Sequence, residues 1–219
     1  MCSSDLKAYS DTNYFNLSSI NVLSSDIINS DVIALGCGLD RNNETIKACG
    51  QLLELYQDKN FIIDADAIYC LVNYGLNKIN LQNCVFTPHL GEFSLLTNIP
   101  VFKLQENLLH YGKEFVQNTK SYLVLKGSPT IIFFPNGELF INSSGNCGMA
   151  KFGMGDVLTG IIASFIAQSH DIEKSLISAV YLHSLSADLL AEEKTEYGFT
   201  ATEVALNIAK TIKFLRGSV

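Results

Sequence analysis

Short apolar runs alternate with amphipathic stretches along most of this sequence. Four runs of strand length, bounded by polar or turn-forming residues, are predicted to be buried strands at 31–35, 61–64, 83–86 and 122–125. After the first run, Asn42 or Asn43 can cap a helix whose apolar stripe contains Ile46, Cys49, Leu53 and Tyr56. Further helices are predicted through Leu71 and Val72 and over residues 103–118.

The second half of the chain begins with a hairpin and ends with helices. Apolar runs at 130–134 and 138–142 flank Pro135-Asn136-Gly137, and Asn-Gly is typical of a hairpin turn. Three amphipathic stretches follow, at about 156–168, 171–193 and 201–214. This alternation predicts an α/β fold with a doubly wound, largely parallel sheet and helices on both faces. Residues 1–30 are poorly patterned apart from a short helix expected at 24–28, and residues 31–219 are predicted to form one domain.

Composition narrows the class of protein and of partner. Of the 219 residues, 47% are hydrophobic and 17% are charged, which is typical of a globular protein. The formal net charge is −7 and no basic cluster is present, so we expect neither nucleic acid nor a membrane as a partner. Residues 1–30 lack the basic start and apolar core of a signal peptide. Six cysteines without metal-like spacing favour a reducing, cytoplasmic setting.

A glycine-rich loop before the first of the last three helices is the leading candidate for chemistry. Gly145, Gly148, Gly153 and Gly155 fall within eleven residues, and Asp156 follows at the expected start of the helix. Such a loop lets backbone N–H groups approach an anion, which the positive end of a helix dipole also attracts. The loop is therefore a candidate phosphate site. A flexible loop followed by an aspartate N-cap explains the same pattern.

Other polar groups follow the predicted strands, where ligands bind in open α/β sheets. They are Gly36-Cys37-Gly38, Asp64 with Asp66, the segment 87–92, and Lys126. Asp64 and Asp66 can bind a metal or a substrate hydroxyl, and capping of a helix is an equal alternative for Asp64. His89 can donate to a substrate or be a solvated loop residue. Lys126 can pair with a nucleotide phosphate or be a solvated surface lysine. His183 lies on an apolar stripe and is predicted to be a packed, hydrogen-bonded core residue.

Several of these motifs, in this order, resemble one protein family. Gly153-Met154-Gly155-Asp156 resembles the glycine-x-glycine-aspartate anion hole of ribokinase-like kinases. With Asp64-Ala65-Asp66-Ala67, the segment 87–93 and Leu125-Lys126-Gly127, it resembles the ADP- or ATP-dependent NAD(P)H-hydrate dehydratases, a branch of those kinases. The resemblance runs from about residue 30 to the C-terminus. It implies a ribokinase-like fold and the repair of hydrated NAD(P)H. The repair is expected to proceed in partnership with an NAD(P)H-hydrate epimerase, and a homo-oligomer is one option for the assembly of the chain.

The resemblance also implies roles for individual residues. Asp156 is expected to be the catalytic general base. The NAD(P)H hydrate is expected to contact Gly38, His89, Leu90, Gly91, Glu92, Phe93, Ser94, Leu95 and Asp156. ADP or ATP, the co-substrate, is expected to contact Lys126, Gly127, Ser128, Pro129, Thr130, Asn146, Cys147, Gly148, Met149, Ala150, Lys151, Phe152, Gly153, Met154 and Gly155. Mg²⁺ is the expected cofactor, held by Glu92 through water.

The sequence departs from the family's usual pattern at several places. Cys37 and Leu90 stand where prolines are usual, and Lys151-Phe152-Gly153-Met154 replaces a glycine pair and a small residue. Family members have further strands before the one at 31–35, so N-terminal strands are expected to be missing here. Two alternatives therefore stay open. One is a ribokinase-like kinase of a vitamin-precursor alcohol, and the other is a catalytically silent relic that binds nucleotide.

Overall fold

The strands form one mixed sheet. The computed structural model describes residues 14–217, so the first part of the poorly patterned N-terminal segment lies outside the described residues. Within that range six strands pair in sequence order: β1 (Val32–Leu35), β2 (Asn60–Ile63), β3 (Cys84–Phe86), β4 (Tyr122–Leu125), β5 (Thr130–Phe133) and β6 (Leu139–Asn142). β1 to β4 are parallel, and β5 and β6 add the predicted antiparallel hairpin. Every strand prediction is confirmed to within one residue at its ends.

The helices differ more from their predicted extents. They are α1 (Leu17–Asn29), α2 (Asn43–Leu55), α3 (Ala65–Tyr74), α4 (Leu90–Thr97), α5 (Val101–Glu106), α6 (Leu108–Thr119), α7 (Met154–Ser169), α8 (Ile172–Lys194) and α9 (Ala201–Gly217). The short helix predicted at 24–28 is wrong in length, because Asn16 and Ser19 cap each other reciprocally and start α1 at Leu17. The single helix predicted at 103–118 is also wrong. Asn107 has non-helical backbone angles, φ −151° and ψ 55°, and separates α5 from α6.

Helices cover both faces of the sheet, as predicted. Neighbouring residues of a strand point to opposite sides, so each strand places apolar side chains on both faces. Phe61 and Ile63 pack into a core cluster with α1 to α6, whereas Ile62 between them packs against α7 and α8. β4 repeats this alternation with Leu123 and Leu125 on one side and Val124 on the other. Both faces are therefore apolar, which explains why the strands read as continuous apolar runs. No helix within residues 14–217 combines the length and hydropathy that crossing a membrane requires.

His183 lies on the buried side of α8. Its packing is confirmed, since the residue is buried, and its ring hydrogen-bonds the backbone of Met154. Within the described residues, however, Nε2 has no hydrogen-bond partner. Burial lowers the pKa of His183 to about 4, and the hydrogen bond to Met154 opposes that shift. The ring is therefore neutral near pH 7.

Close packing of α6 on β5 depends on Gly112. A Cβ at this position would lie 2.3 Å from the ring of Phe133, which is fully buried. We predict that Gly112→Ala lowers the free energy of unfolding by about 1–3 kcal/mol, because the core cannot absorb the clash. Gly160→Ala in α7 is the matched control, since no atom lies within 4 Å of its Cβ position. There we expect a gain of up to about 1 kcal/mol from helix propensity. Urea denaturation measures both changes, and equal effects would contradict the packing argument.

The buried His183 also predicts a dependence of stability on pH. Its pKa of about 4 in the folded chain is below the ordinary value of 6.5, so the unfolded chain binds the extra proton first as pH falls. The free energy of unfolding is therefore expected to drop between pH 6.5 and pH 4, by roughly 3 kcal/mol for this group. His183→Gln removes that contribution. Urea denaturation across this range, compared between the parent and the variant, checks the difference; identical pH slopes would contradict it.

Candidate active site

The polar residues that follow the predicted strands lie together at one edge of the sheet. Asp64 follows β2, and its N–H donates to the Leu35 carbonyl at the end of β1 over 3.0 Å. His89, beyond β3, forms a parallel bridge with Lys126, beyond β4. The Lys126 N–H donates to the Pro88 carbonyl over 2.8 Å. The parallel ladder, continued past the strands, thus brings these segments side by side.

A buried ion pair ties this edge of the sheet to α7. Lys126 Nζ donates to Asp64 Oδ1 over 2.7 Å, and Asp64 is only 1% exposed. The same oxygen accepts from the N–H of Ala65 over 2.9 Å, so Asp64 caps α3. Its other oxygen accepts from the hydroxyl of Thr159 over 2.8 Å. Of the two roles left open by the sequence, the structure favours capping, since both carboxylate oxygens already have partners.

The Lys126 ammonium lies against the first turn of α7. A Cβ on Gly155 would be 3.2 Å from Nζ, so the absence of a side chain there makes room for the ammonium. The N-cap of α7 is Gly153, with a φ of 85°, and no side chain in the part of the chain that the structure describes caps the helix. The amides at an uncapped helix start, together with an ammonium, form a site suited to an anion.

Asp156 lies inside the first turn of α7. Because the helix begins at Met154 rather than at residue 156, the alternative that Asp156 is its N-cap is wrong. The residue is exposed, and ligand atoms of Cys37, Asp64 and Asp156 all lie within 4.8 Å of one another. Burial, followed by a hydrogen bond to Asp156, raises the pKa of Cys37 to about 12. The thiol is therefore protonated near pH 7.

His89 and Glu92 orient each other at the start of α4. The N–H groups of Gly91 and Glu92 donate to His89 Nδ1 over 3.0 and 3.2 Å, and the His89 N–H donates to Glu92 Oε2 over 2.9 Å. With Nδ1 accepting, the ring proton of the neutral histidine belongs on Nε2, where it is a donor. Glu92 Oε2 also lies 4.0 Å from Lys126 Nζ. The carboxylate thus connects His89 with the ion pair.

A small cavity of about 200 Å³ opens beside these two residues. Of the residues predicted to contact the hydrate, four line it: His89, Gly91, Glu92 and Leu95. Arg41, Ala65 and Tyr69 line it too and were not predicted. Arg41 Nε pairs with Asp66 Oδ1 over 2.6 Å, and its guanidinium lies 5.0 Å from the centre of the Tyr69 ring. Asp66, a predicted site residue after a strand, is the one feature of the sequence that indicates a positively charged partner such as Arg41 nearby.

The other residues predicted for the hydrate lie elsewhere. Phe93 is fully buried and packs edge-on against Phe115, so in this conformation it offers no surface to a ligand. Its predicted direct contact does not fit the structure, because α4 turns this side chain into the core. The Ser94 hydroxyl donates to the Ile99 carbonyl over 2.6 Å, and Leu90 packs against the core. Gly38 lies in the turn after β1.

A much larger cavity of about 1230 Å³ lies on the other side of His89, which lines both. Its wall is formed by all residues of the segment Lys126 to Thr130 and by most of the glycine loop. Both segments are predicted to bind the nucleotide. Gly148 and Gly153 are the predicted residues absent from this wall; a Cβ on Gly148 would lie 2.3 Å from the Glu196 carbonyl oxygen. Wall residues that were not predicted are Ile141, Asn142, Ser143, Ser144, Gly145, Leu158, Val180, His183 and Ser184.

Side chains hold the glycine loop in place. The Gly145 N–H and Asn146 Nδ2 each donate to the Asp188 carboxylate over 2.8 Å. Lys151 Nζ donates to the carbonyls of Glu196 and Phe199 over 3.0 and 2.7 Å. The loop is therefore tied at both ends to α8 and to the segment that follows it.

A family model and several known proteins with similar sequences identify the family of this chain. The family model described as NAD(P)H-hydrate dehydratase matches residues 9–210. A bifunctional NAD(P)H-hydrate repair enzyme from Thermofilum pendens is 35% identical over 205 residues, 93% of this chain and 38% of the relative. An ADP-dependent (S)-NAD(P)H-hydrate dehydratase from Bacillus subtilis is 34% identical over 173 residues, 79% of this chain and 60% of the relative.

The fold is similar to a crystal structure as well. The ADP/ATP-dependent NAD(P)H-hydrate dehydratase of Bacillus subtilis, co-crystallised with ATP and Mg²⁺, superimposes with a TM-score of 0.72 at 28% identity, over 90% of this chain and 74% of that one. The chain spans less than two thirds of the length of the two curated relatives, at 38% and 60%. The family model nevertheless covers most of its residues, and the chain belongs to the NAD(P)H-hydrate dehydratase family.

Proposed function

We propose that this chain returns C6-hydrated NAD(P)H to NAD(P)H at the expense of ADP or ATP. The observation that carries the proposal is the exposed carboxylate of Asp156, in the first turn of a helix that no side chain caps. It lies within 4.8 Å of Asp64, which holds the Lys126 ammonium. The named activities of the two curated relatives support the same reaction.

The chemistry follows from the leaving group. Hydroxide leaves carbon poorly, whereas phosphate leaves readily. In the proposed first step Asp156 removes the proton from the C6 hydroxyl, whose oxygen takes the terminal phosphoryl group of the nucleotide. The C6–O bond then breaks, phosphate departs, and loss of the C5 proton restores the double bond of the ring. A well-placed base contributes about 10²–10⁴-fold to such a transfer.

We assign one of the two substrates to each cavity. ADP or ATP would occupy the larger one, against Lys126 to Thr130 and the loop from Asn146 to Gly155, with its phosphates at the start of α7. Uncapped amides and the Lys126 ammonium would stabilise the charge that develops during transfer. The ring of the hydrate would bind at the smaller cavity, with His89 Nε2 as a hydrogen-bond donor. From there it would extend to the exposed carboxylate of Asp156, which lines neither cavity. Gly38, Gly91, Glu92 and Leu95 complete this proposed surface.

Glu92 fits the predicted role of holding Mg²⁺ through water. One of its oxygens accepts from the His89 N–H, and the other lies 3.6 Å from His89 Nε2, so the carboxylate retains room for water. Indirect binding suits a cation that gives up its water reluctantly. When bound, Mg²⁺ would neutralise charge on the nucleotide phosphates.

The cellular setting belongs to the same proposal. Cys37, Cys49, Cys70, Cys84 and Cys147 are free thiols, which supports a reducing compartment such as the cytoplasm. A relative named as a bifunctional repair enzyme supports a partnership with the epimerase that interconverts the hydrates. Assembly into a homo-oligomer is part of this proposal and is tested by sedimentation.

We predict that Asp156→Asn reduces hydrate repair by roughly 100-fold or more while the fold is retained, because the amide cannot take the hydroxyl proton. Recovery of NADPH absorbance from its hydrate, with ADP or ATP, measures the loss. Asp58→Asn, at an exposed turn, is the matched control and should keep full activity. Undiminished turnover by Asp156→Asn would refute the assigned role. Turnover of a vitamin alcohol in place of the hydrate would favour a different kinase of this fold.

The buried ion pair gives a second prediction. Lys126→Met leaves the Asp64 charge unpaired, which is expected to cost about 3–5 kcal/mol of stability. The double variant Asp64→Asn with Lys126→Met removes both charges and should recover most of that loss. Neither variant should bind ADP as the parent does, because the ammonium is gone. Urea denaturation and calorimetric titration separate the two effects. Parent-like ADP affinity in the stable double variant would show that Lys126 is only structural.

A further inference from the structure

Phe152 is a large apolar residue at the edge of the larger cavity, and nothing in the described range 14–217 packs against its side chain. Its side chain is fully exposed, yet the residue lines the larger cavity. Single exposed apolar residues are common on protein surfaces and need no explanation by themselves. The position of this one, on the wall of a cavity and within a restrained loop, is different.

The residues on either side of Phe152 are held inward. Lys151 Nζ donates to two backbone carbonyls and lies 4.2 Å from the centre of the Phe199 ring. Met154 is buried in a small cluster with Phe199 and Val204. The chain is therefore fixed just before and just after Phe152. Its outward orientation follows from these anchors, since turning the ring inward would require the lysine or the methionine to leave its place.

We propose that Phe152 stacks on the base of the bound nucleotide and covers it. This inference rests on the proposed use of ADP or ATP. The phosphates of the nucleotide would bind to the amides at the start of α7 and to the Lys126 ammonium, so an aromatic ring would not contribute to phosphate binding. The base is the planar, weakly polar part of the nucleotide, and aromatic side chains stack on such faces. Two exposed apolar residues of the same cavity wall, Pro129 and Ile141, would contact the other face of the base.

The absence of tryptophan from the sequence makes a direct test possible. Phe152→Trp introduces a single fluorescent reporter at the proposed stacking position. ADP is expected to quench it, whereas tripolyphosphate, which has no base, is expected to leave it unchanged. Tyr197→Trp is the matched control, because Tyr197 is 90% exposed on the neighbouring loop and does not line the cavity. Its fluorescence should not respond to ADP.

Affinity gives the second measurement. Phe152→Ala is expected to weaken ADP binding about 10-fold in calorimetric titration, in the range expected for loss of one base–aromatic stack. Tripolyphosphate should bind Phe152→Ala and the parent equally. Circular dichroism and a thermal melt confirm that each variant is folded. Since the Phe152 side chain is fully exposed, no change is expected there.

The outcomes separate this inference from the function on which it rests. If the parent chain binds neither ADP nor ATP, the proposed function fails. If the parent binds ADP but the fluorescence of Phe152→Trp is silent and Phe152→Ala keeps parent affinity, only the stacking is wrong. Stronger quenching by nicotinamide mononucleotide than by ADP would place Phe152 over the other substrate and overturn the assignment. A signal that depends on protein concentration alone would indicate contact between two copies, and overturn it too.

Discussion

A carboxylate buried as deeply as that of Asp64 is stable only when its neighbours supply charge and hydrogen bonds. Here the partners come from three directions: the start of α3, Lys126 beyond β4, and Thr159 on α7. Each partner is thereby fixed relative to the others. The ammonium that faces the cavity is held by the same contact that joins the sheet to α7. Stability and the geometry of the site thus depend on one ion pair.

Backbone hydrogen bonds of the sheet position one part of the site, and side-chain contacts position the other. Hydrogen bonds between parallel strands set the positions of His89 and Lys126, because these residues continue the ladder beyond β3 and β4. The glycine loop belongs to no sheet. Asp188 and the anchored Lys151 hold it instead, through contacts to residues more than forty positions away. A rigid edge therefore faces a loop that is held at a few defined points.

Local sequence predicts the strands and the two cavity-lining segments better than it predicts helix ends. Runs of apolar residues and Asn136-Gly137 are local signals, and they place the strands within a residue. The sequence assigns Met154 and Gly155 to a loop because glycine disfavours helix, yet burial of Met154 starts α7 there. Arg41 was missed because its contact with Asp66 spans 25 residues. The prediction for His183 placed it correctly in the core, but no sequence pattern shows that the core there is also the wall of a cavity.

The last helix supports the site through the buried cluster of Met154, Phe199 and Val204. Among the described residues, none of α9 (Ala201–Gly217) lines either cavity. Its Val204 nevertheless packs beneath the residue at which α7 begins. A protease that removed α9 would take away no cavity-lining residue and would still expose Met154, on which the glycine loop ends. Integrity of the tail is thus a condition for the architecture of the loop that precedes α7.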